Sequence, residues 1–277
     1  MLKKISKLNK PLKGEITIPA DKSISHRAVM FSSIAQGECV VRNFSSGADC
    51  HSTLNLFKKL GVEISFLDEK TLKINSQEIL KAPYEDCDCG NSGTTMRLVS
   101  VILAGQDFNS VLVGDISLSK RPMKRVIEPL SLMGANIKSI DGHAPLKIFG
   151  AKLKGIDFNS KLASAQVKSC ILLAGLNADG VTSFTEPYIS RDHTERLFNY
   201  LGADIETKGT TVTVKPSQLI AKDIDVVGDI SSAAFFIVAG LIVKESDFII
   251  KNVGINPTRS GILDVVKRMG GGVEVIN

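Results

Sequence analysis

The chain has 277 residues, 43% apolar and 23% charged, with a formal net charge of +5. This is enough for one large or two ordinary domains with buried cores. The positive balance is mild and scattered, tryptophan is absent and aromatics make up only 5%, which argues against a nucleic-acid surface and suits small anionic partners.

From the N-terminus, MLKKISKLNKPLKG is basic but lacks the apolar stretch of a secretory signal. A first module is expected to begin near Lys13, with a mostly apolar helix over 25–36 and then LNLFKKLGVEI (54–64), an amphipathic helix running into a strand. A second begins near Asp86. It reads as a strand CDCGN (87–91), an apolar helix over 94–104, a strand over 110–115, an amphipathic helix over 123–133 and paired strands over 135–140 and 145–150. A third begins near Ile156, with an apolar helix over 166–174 and then RLFNYLGADI (196–205). A fourth begins near Ile224, with an apolar helix over 231–243 and then ILDVVKRMGGGVEV (262–275), helix into strand.

The amphipathic helices end at Gly61, Gly134, Gly202 and Gly270, spaced 73, 68 and 68 residues apart, where a helix end calls for positive φ. Repeats that long are whole supersecondary modules. The first helix of each module is apolar on most faces and is expected inside; the second carries charge on one side and is expected on the rim. Charges at the strand positions Lys73, Lys138, Lys147 and Glu206 fit a solvent-facing sheet. The expected class is α/β (α+β), with three βαβαββ modules in pseudo-threefold arrangement, helices inward and sheets outward. The fourth module stops after one strand of its closing pair, which leaves an edge unpaired, so the chain reads as cut short. The run 233–243 is too short to span a bilayer and reads as a buried helix, one that exposes an apolar patch if its sister helices are absent. The five cysteines are odd in number and lack zinc-ligand spacing, so free thiols in a reducing cytoplasm and no metal site are expected.

The chemistry is expected at the starts of the inner helices: DKSISHR (21–27), GNSGTTMR (90–97) and SAQVKS (164–169). Each offers free N–H groups, a positive dipole end and small hydroxylated residues. Threefold symmetry would bring the three starts to one pole, where Lys22, Arg27, Arg97 and Lys168 add charge and an anion relieves the conflict between cations and dipoles. The plainer alternative is that Ser23, Ser25, Ser92 and Ser164 are ordinary N-caps. SLSKRPMKR (117–125) brings four more cations near that pole. In SRDHTER (190–196), Asp192 and Glu195 have capping-box spacing, while Arg191 has no structural explanation. Asp49 is expected to cap the second helix, and His26 and His193 to be structural rather than general bases.

Together, DKSISHR, NSGTTMR, SLSKRPM, SAQVKS, SRDHTER and GDISSAAFF resemble the 5-enolpyruvylshikimate-3-phosphate synthase (3-phosphoshikimate 1-carboxyvinyltransferase) family, in order along the whole chain. The resemblance implies two inside-out α/β barrel-like domains of three modules each, with buried parallel helices. Here 20–227 would be one complete domain, and 1–19 with 228–277 part of the second. It implies transfer of the enolpyruvyl group of phosphoenolpyruvate to the 5-hydroxyl of shikimate 3-phosphate, with release of phosphate and with neither metal nor organic cofactor. It further implies a cytoplasmic enzyme of the shikimate pathway, a glyphosate target, a monomer that binds neither nucleic acid nor membrane. Lys22 matches the catalytic lysine shared by both substrates. Ser23, Arg27, Ser164, Ala165, Gln166 and Arg191 match positions for shikimate 3-phosphate, Arg191 only in part of the family. Gly93, Arg121 and Gln166 match positions for phosphoenolpyruvate. The family's acid–base carboxylates lie in a C-terminal portion beyond Asn277, so the activity of 277 residues alone stays open. Two alternatives stand beside this reading: the sister transferase that uses UDP-N-acetylglucosamine, and a silent truncated chain that only binds anions.

Overall fold

The computed structural model describes residues 10–76 and 79–276. In chain order the first elements are β1 (Lys13–Thr17), α1 (Lys22–Ile34), β2 (Gly37–Arg42), α2 (Ala48–Lys59), β3 (Glu63–Asp68) and β4 (Thr71–Ser76). Then come β5 (Cys87–Asp88), α3 (Gly93–Ala104), β6 (Ser110–Val113), α4 (Ile116–Ser119), α5 (Lys124–Leu132), β7 (Asn136–Ile140) and β8 (His143–Phe149). They are followed by β9 (Asp157–Asn159), α6 (Ala165–Gly175), β10 (Thr182–Thr185), α7 (His193–Tyr200), β11 (Ile205–Lys208) and β12 (Thr211–Val214). The last are β13 (Ile224–Asp225), α8 (Ile230–Ile242), β14 (Asp247–Lys251) and α9 (Gly261–Arg268). The chain forms two compact units: Lys22–Asp225, and a smaller one that joins the segment ending at Asp21 to the segment beginning at Val226.

The larger unit repeats one topology three times. Its four-stranded sheets run β13-β2-β4-β3, β5-β6-β8-β7 and β9-β10-β12-β11. In each, the first two strands are parallel and the rest antiparallel. A helix must carry the chain across between parallel strands; α3 does so for β5 and β6, and α6 for β9 and β10. The expected helix-ending glycines all have positive φ: Gly61 at 89°, Gly134 at 92°, Gly202 at 89° and Gly270 at 81°.

Two expectations about strands need correction. The strand near Lys13 does not open the first module: β1 pairs in parallel with β14, Lys13 opposite Asp247. The first module takes its leading strand from Ile224–Asp225, paired with Val41 and Arg42. A repeat gives the order of elements, but either end of a chain can fill an open sheet edge. Residues 271–276, expected as a strand, form none.

The inner helices α1, α3 and α6 are buried along most of their length and hold the core of the larger unit. Phe31 of α1 packs on Phe198 of α7 with ring centroids 4.8 Å apart. Burying a side chain of that size contributes roughly 1.5–3 kcal/mol. α1 begins at Lys22, three residues earlier than the apolar pattern suggests. In the smaller unit, Ile18, Ile230 and Ala233 form a core, and Arg259 pairs with Asp21 at 3.0 Å and Asp229 at 3.1 Å. Helix α8 buries only Ile230 and Ala233; Phe235 and Ile242 are 79% and 74% exposed. The segment is helical but not buried, and it exposes the apolar patch expected of such a helix without sister helices: α1, α3 and α6 each have neighbouring inner helices, and α8 has none among the described residues of its own unit.

Candidate functional site

Hydrogen bonds among their first two turns bring the starts of α1, α3 and α6 together. Arg27 of α1 donates from Nη2 to Ser169 Oγ of α6 at 2.7 Å and from Nε to Thr194 Oγ1 of α7 at 2.8 Å. Arg97 of α3 donates from Nη1 to Gln166 Oε1 of α6 at 3.1 Å. His26 Nδ1 of α1 shares a 2.7 Å hydrogen bond with Thr53 Oγ1 of α2, which shares another of 2.7 Å with Thr95 Oγ1 of α3. Free N–H groups of three helices therefore face one region, with positive dipole ends converging there.

The caps follow from local sequence. Ser92 accepts from Thr95 N at 3.1 Å, and Ser164 from Val167 N at 3.4 Å. Ser23 and Ser25 are not caps, because α1 already begins at Lys22. Ser25 Oγ instead accepts from Ser45 N at 3.1 Å, and the Ser23 carbonyl accepts from Arg27 Nη1 at 3.1 Å.

The cations differ in state. Lys22 is exposed, at the first position of α1, with its Nζ paired to Asp49. Asp49 is not the expected cap: Gly47 holds the cap position of α2, and Asp49 sits in the first turn with its carboxylate on Lys22. Arg27 is buried and donates to two hydroxyls and a carbonyl. Arg97 is buried as well, and burial, helped by Arg125 and Arg121 nearby, pulls its guanidinium below the usual arginine value. Its Nη2 reaches Pro122 O at 3.3 Å, and its buried Nε has no partner. Arg121 donates to Asn91 Oδ1, and Asn91 in turn donates to both oxygens of Asp115, at 2.9 and 2.7 Å. Those bonds and the N–H of Leu118 hold the Asp115 carboxyl below its usual range. Asn91 and Asp115 thus aim Arg121, a role with no sequence signal beyond an asparagine in the GNSG turn.

A Cβ on Gly93 would lie 2.9 Å from Arg97 Nη1 and 3.4 Å from Arg121 Nη1. The Arg97 guanidinium therefore crowds the first residue of α3, and a side chain there would push it aside. Ala165 and Gln166 open α6 and are half-buried, and Arg191 is exposed just before α7.

Lys168 departs from its expected place. It is 1% exposed and donates to Glu186 Oε1 at 2.8 Å and Glu195 Oε1 at 2.7 Å, so it adds no net charge to the pole. A buried cation needs such partners, and removing one member costs about 3–5 kcal/mol. The capping-box reading fails for the same reason. Glu195 is committed to Lys168, and Asp192 accepts from Arg196 Nε at 2.8 Å. His26 is buried and neutral, its pKa lowered to about 3 by burial and by Lys22. All five cysteines are buried and outside any disulfide, and no group of three or more His, Cys, Asp or Glu among the described residues is placed to hold a metal. A cavity of about 470 Å³ lies at the opposite ends of the same helices, lined by residues such as Ile34, Gly105 and Ala174, none of them charged.

The family model for EPSP synthase (3-phosphoshikimate 1-carboxyvinyltransferase) matches residues 7–277. The 3-phosphoshikimate 1-carboxyvinyltransferase of Geotalea uraniireducens (strain Rf4) is 54% identical over 270 residues, covering 96% of this chain and 63% of that protein. The protein of the same name from Bacillus cereus (strain G9842) is 54% identical over 273 residues, with the same coverage. Among solved structures, EPSP synthase from Acinetobacter baumannii superposes with a TM-score of 0.89 at 47% identity, over 95% of this chain and 60% of that one. The chain therefore spans just under two thirds of the length of these relatives. With the repeated module topology, the match along nearly its full length shows that this chain belongs to the EPSP synthase family.

Proposed function

We propose that this chain supplies the shikimate 3-phosphate surface, and part of the phosphoenolpyruvate surface, of an enolpyruvyl transferase. The observation that carries this reading is the convergence of three helix starts with Lys22, Arg27, Arg97 and Arg121. In the reaction, the 5-hydroxyl oxygen of shikimate 3-phosphate bonds to the enol carbon of phosphoenolpyruvate, that carbon's bond to the phosphate oxygen breaks, and phosphate and the hydroxyl proton leave. Both substrates carry a phosphate and a carboxylate, so bringing them together costs Coulomb energy. Converging cations and N–H groups offset that cost and hold the reactants in attack geometry.

Lys22 is the exposed cation at the start of α1 and serves both anions. Ser23, Arg27, Ser164, Ala165, Gln166 and Arg191 hold shikimate 3-phosphate; Gly93, Arg121 and Gln166 border phosphoenolpyruvate. Titration calorimetry with each substrate, beside a phosphate-release assay, tests the reading. Binding of shikimate 3-phosphate that strengthens phosphoenolpyruvate or glyphosate binding is the expected result. Binding of neither substrate overturns it, and binding without turnover assigns the chain the anion-binding part of the chemistry alone.

A further inference from the structure

Lys168 sits in a buried ion cluster with Glu186 and Glu195. One ammonium faces two carboxylates, and Glu186 Oε2 and Glu195 Oε2 are both buried without a partner. A cluster with surplus negative charge and orphaned oxygens is a poor stabiliser. Its bonds converge on one place. Glu186 Oε1 accepts from Ser190 N at 2.7 Å and Ser190 Oγ at 3.0 Å, and Lys168 Nζ donates to Ser190 O at 3.3 Å. Every polar group of Ser190 is thereby held by α6 or by Glu186. Three residues past Arg191, Thr194 is anchored a second time, by Arg27 Nε at 2.8 Å and by Ser169 Oγ at 2.7 Å. Arg191 lies between these two anchors, exposed, with no described residue holding its guanidinium.

We propose that Lys168, Glu186 and Glu195 are positioning residues, a buried ionic clamp that holds Ser190 so that the neighbouring Arg191 meets the phosphate of the shikimate-type substrate. The clamp acts on the backbone, and Arg191 alone touches the anion. This rests on the shikimate 3-phosphate reading above.

Glu186→Gln tests it, since this variant leaves Lys168 paired one-to-one with Glu195 and so preserves a folded core. Ser190→Ala is the milder second variant, losing only the hydroxyl bond. Both are made in the full chain, with and without Arg191→Ala, and shikimate 3-phosphate affinity is measured beside exchange of the Ser190 amide. With Arg191 present, Glu186→Gln should weaken binding at least fivefold and speed Ser190 exchange; with Arg191→Ala already in place, it should add no further loss. Equal losses in both backgrounds, or loss in neither while Arg191→Ala is itself damaging, overturn the clamp and leave Arg191 a ligand. No loss on Arg191→Ala alone overturns both the clamp and the assignment of Arg191.

Discussion

Arg97 Nη1 donates to Gln166 Oε1 at 3.1 Å, so the first turns of α3 and α6 are tied by an amide oxygen rather than a carboxylate. A neutral acceptor orients the guanidinium without cancelling its charge, which a pole built for anions requires. Gln166→Glu should therefore weaken phosphoenolpyruvate and inorganic phosphate binding about tenfold or more, or roughly 1.4 kcal/mol. Gln166→Ala should cost less, because it loses only the tether. Calorimetry on both variants decides it; equal losses would mean that charge at this position is irrelevant.

Gly93 gives a second test at the same guanidinium. A methyl group there meets Arg97 Nη1 at 2.9 Å, so that side chain must shift, and touches Arg121 Nη1 at 3.4 Å. Gly93→Ala should raise the glyphosate inhibition constant more than the Michaelis constant for phosphoenolpyruvate, with little change in melting temperature. Equal changes in the two constants would mean that the residue does not border that site.

Lys22 is exposed and paired with Asp49, so it contributes little to stability. Lys22→Ala should abolish the binding of both substrates while melting stays within a degree or two of the parent. Asp49→Asn should tighten phosphate binding by releasing Lys22. A thermal melt beside phosphate titration reads both, and near-normal affinity in Lys22→Ala would remove the residue from the site.

His26 predicts a pH dependence. Its folded pKa, about 3, lies below the ordinary 6.5 because burial and Lys22 disfavour the imidazolium. Between those values the unfolded chain binds a proton that the folded chain refuses. Stability from this group is therefore whole above pH 6.5 and is lost as pH falls toward 3, at up to about 1.4 kcal/mol per pH unit. His26→Asn, which can still bond Thr53, should flatten that slope in denaturant titrations at several pH values. An unchanged slope would show that other groups set the acid limit.

The modular plan was written into local pattern. Apolar periodicity marked α1, α3 and α6 as inner helices, and glycines at 61, 134, 202 and 270 marked where amphipathic helices turn back. Ser92 and Ser164 were legible as caps because a cap acts over three residues. These features depend on neighbours within a turn or two of chain, so composition and spacing carry them. Tertiary structure decided which edge each strand fills, giving β13 to the first module and β1 to β14. It also decided the state of each cation. Lys22 and Lys168 occupy similar places at helix starts, yet one is exposed and the other is closed in by Glu186 and Glu195. Arg27 and Thr194 meet across 167 residues of sequence. Long side chains choose partners by distance in space, and only the folded chain sets which carboxylate, hydroxyl or amide lies within reach.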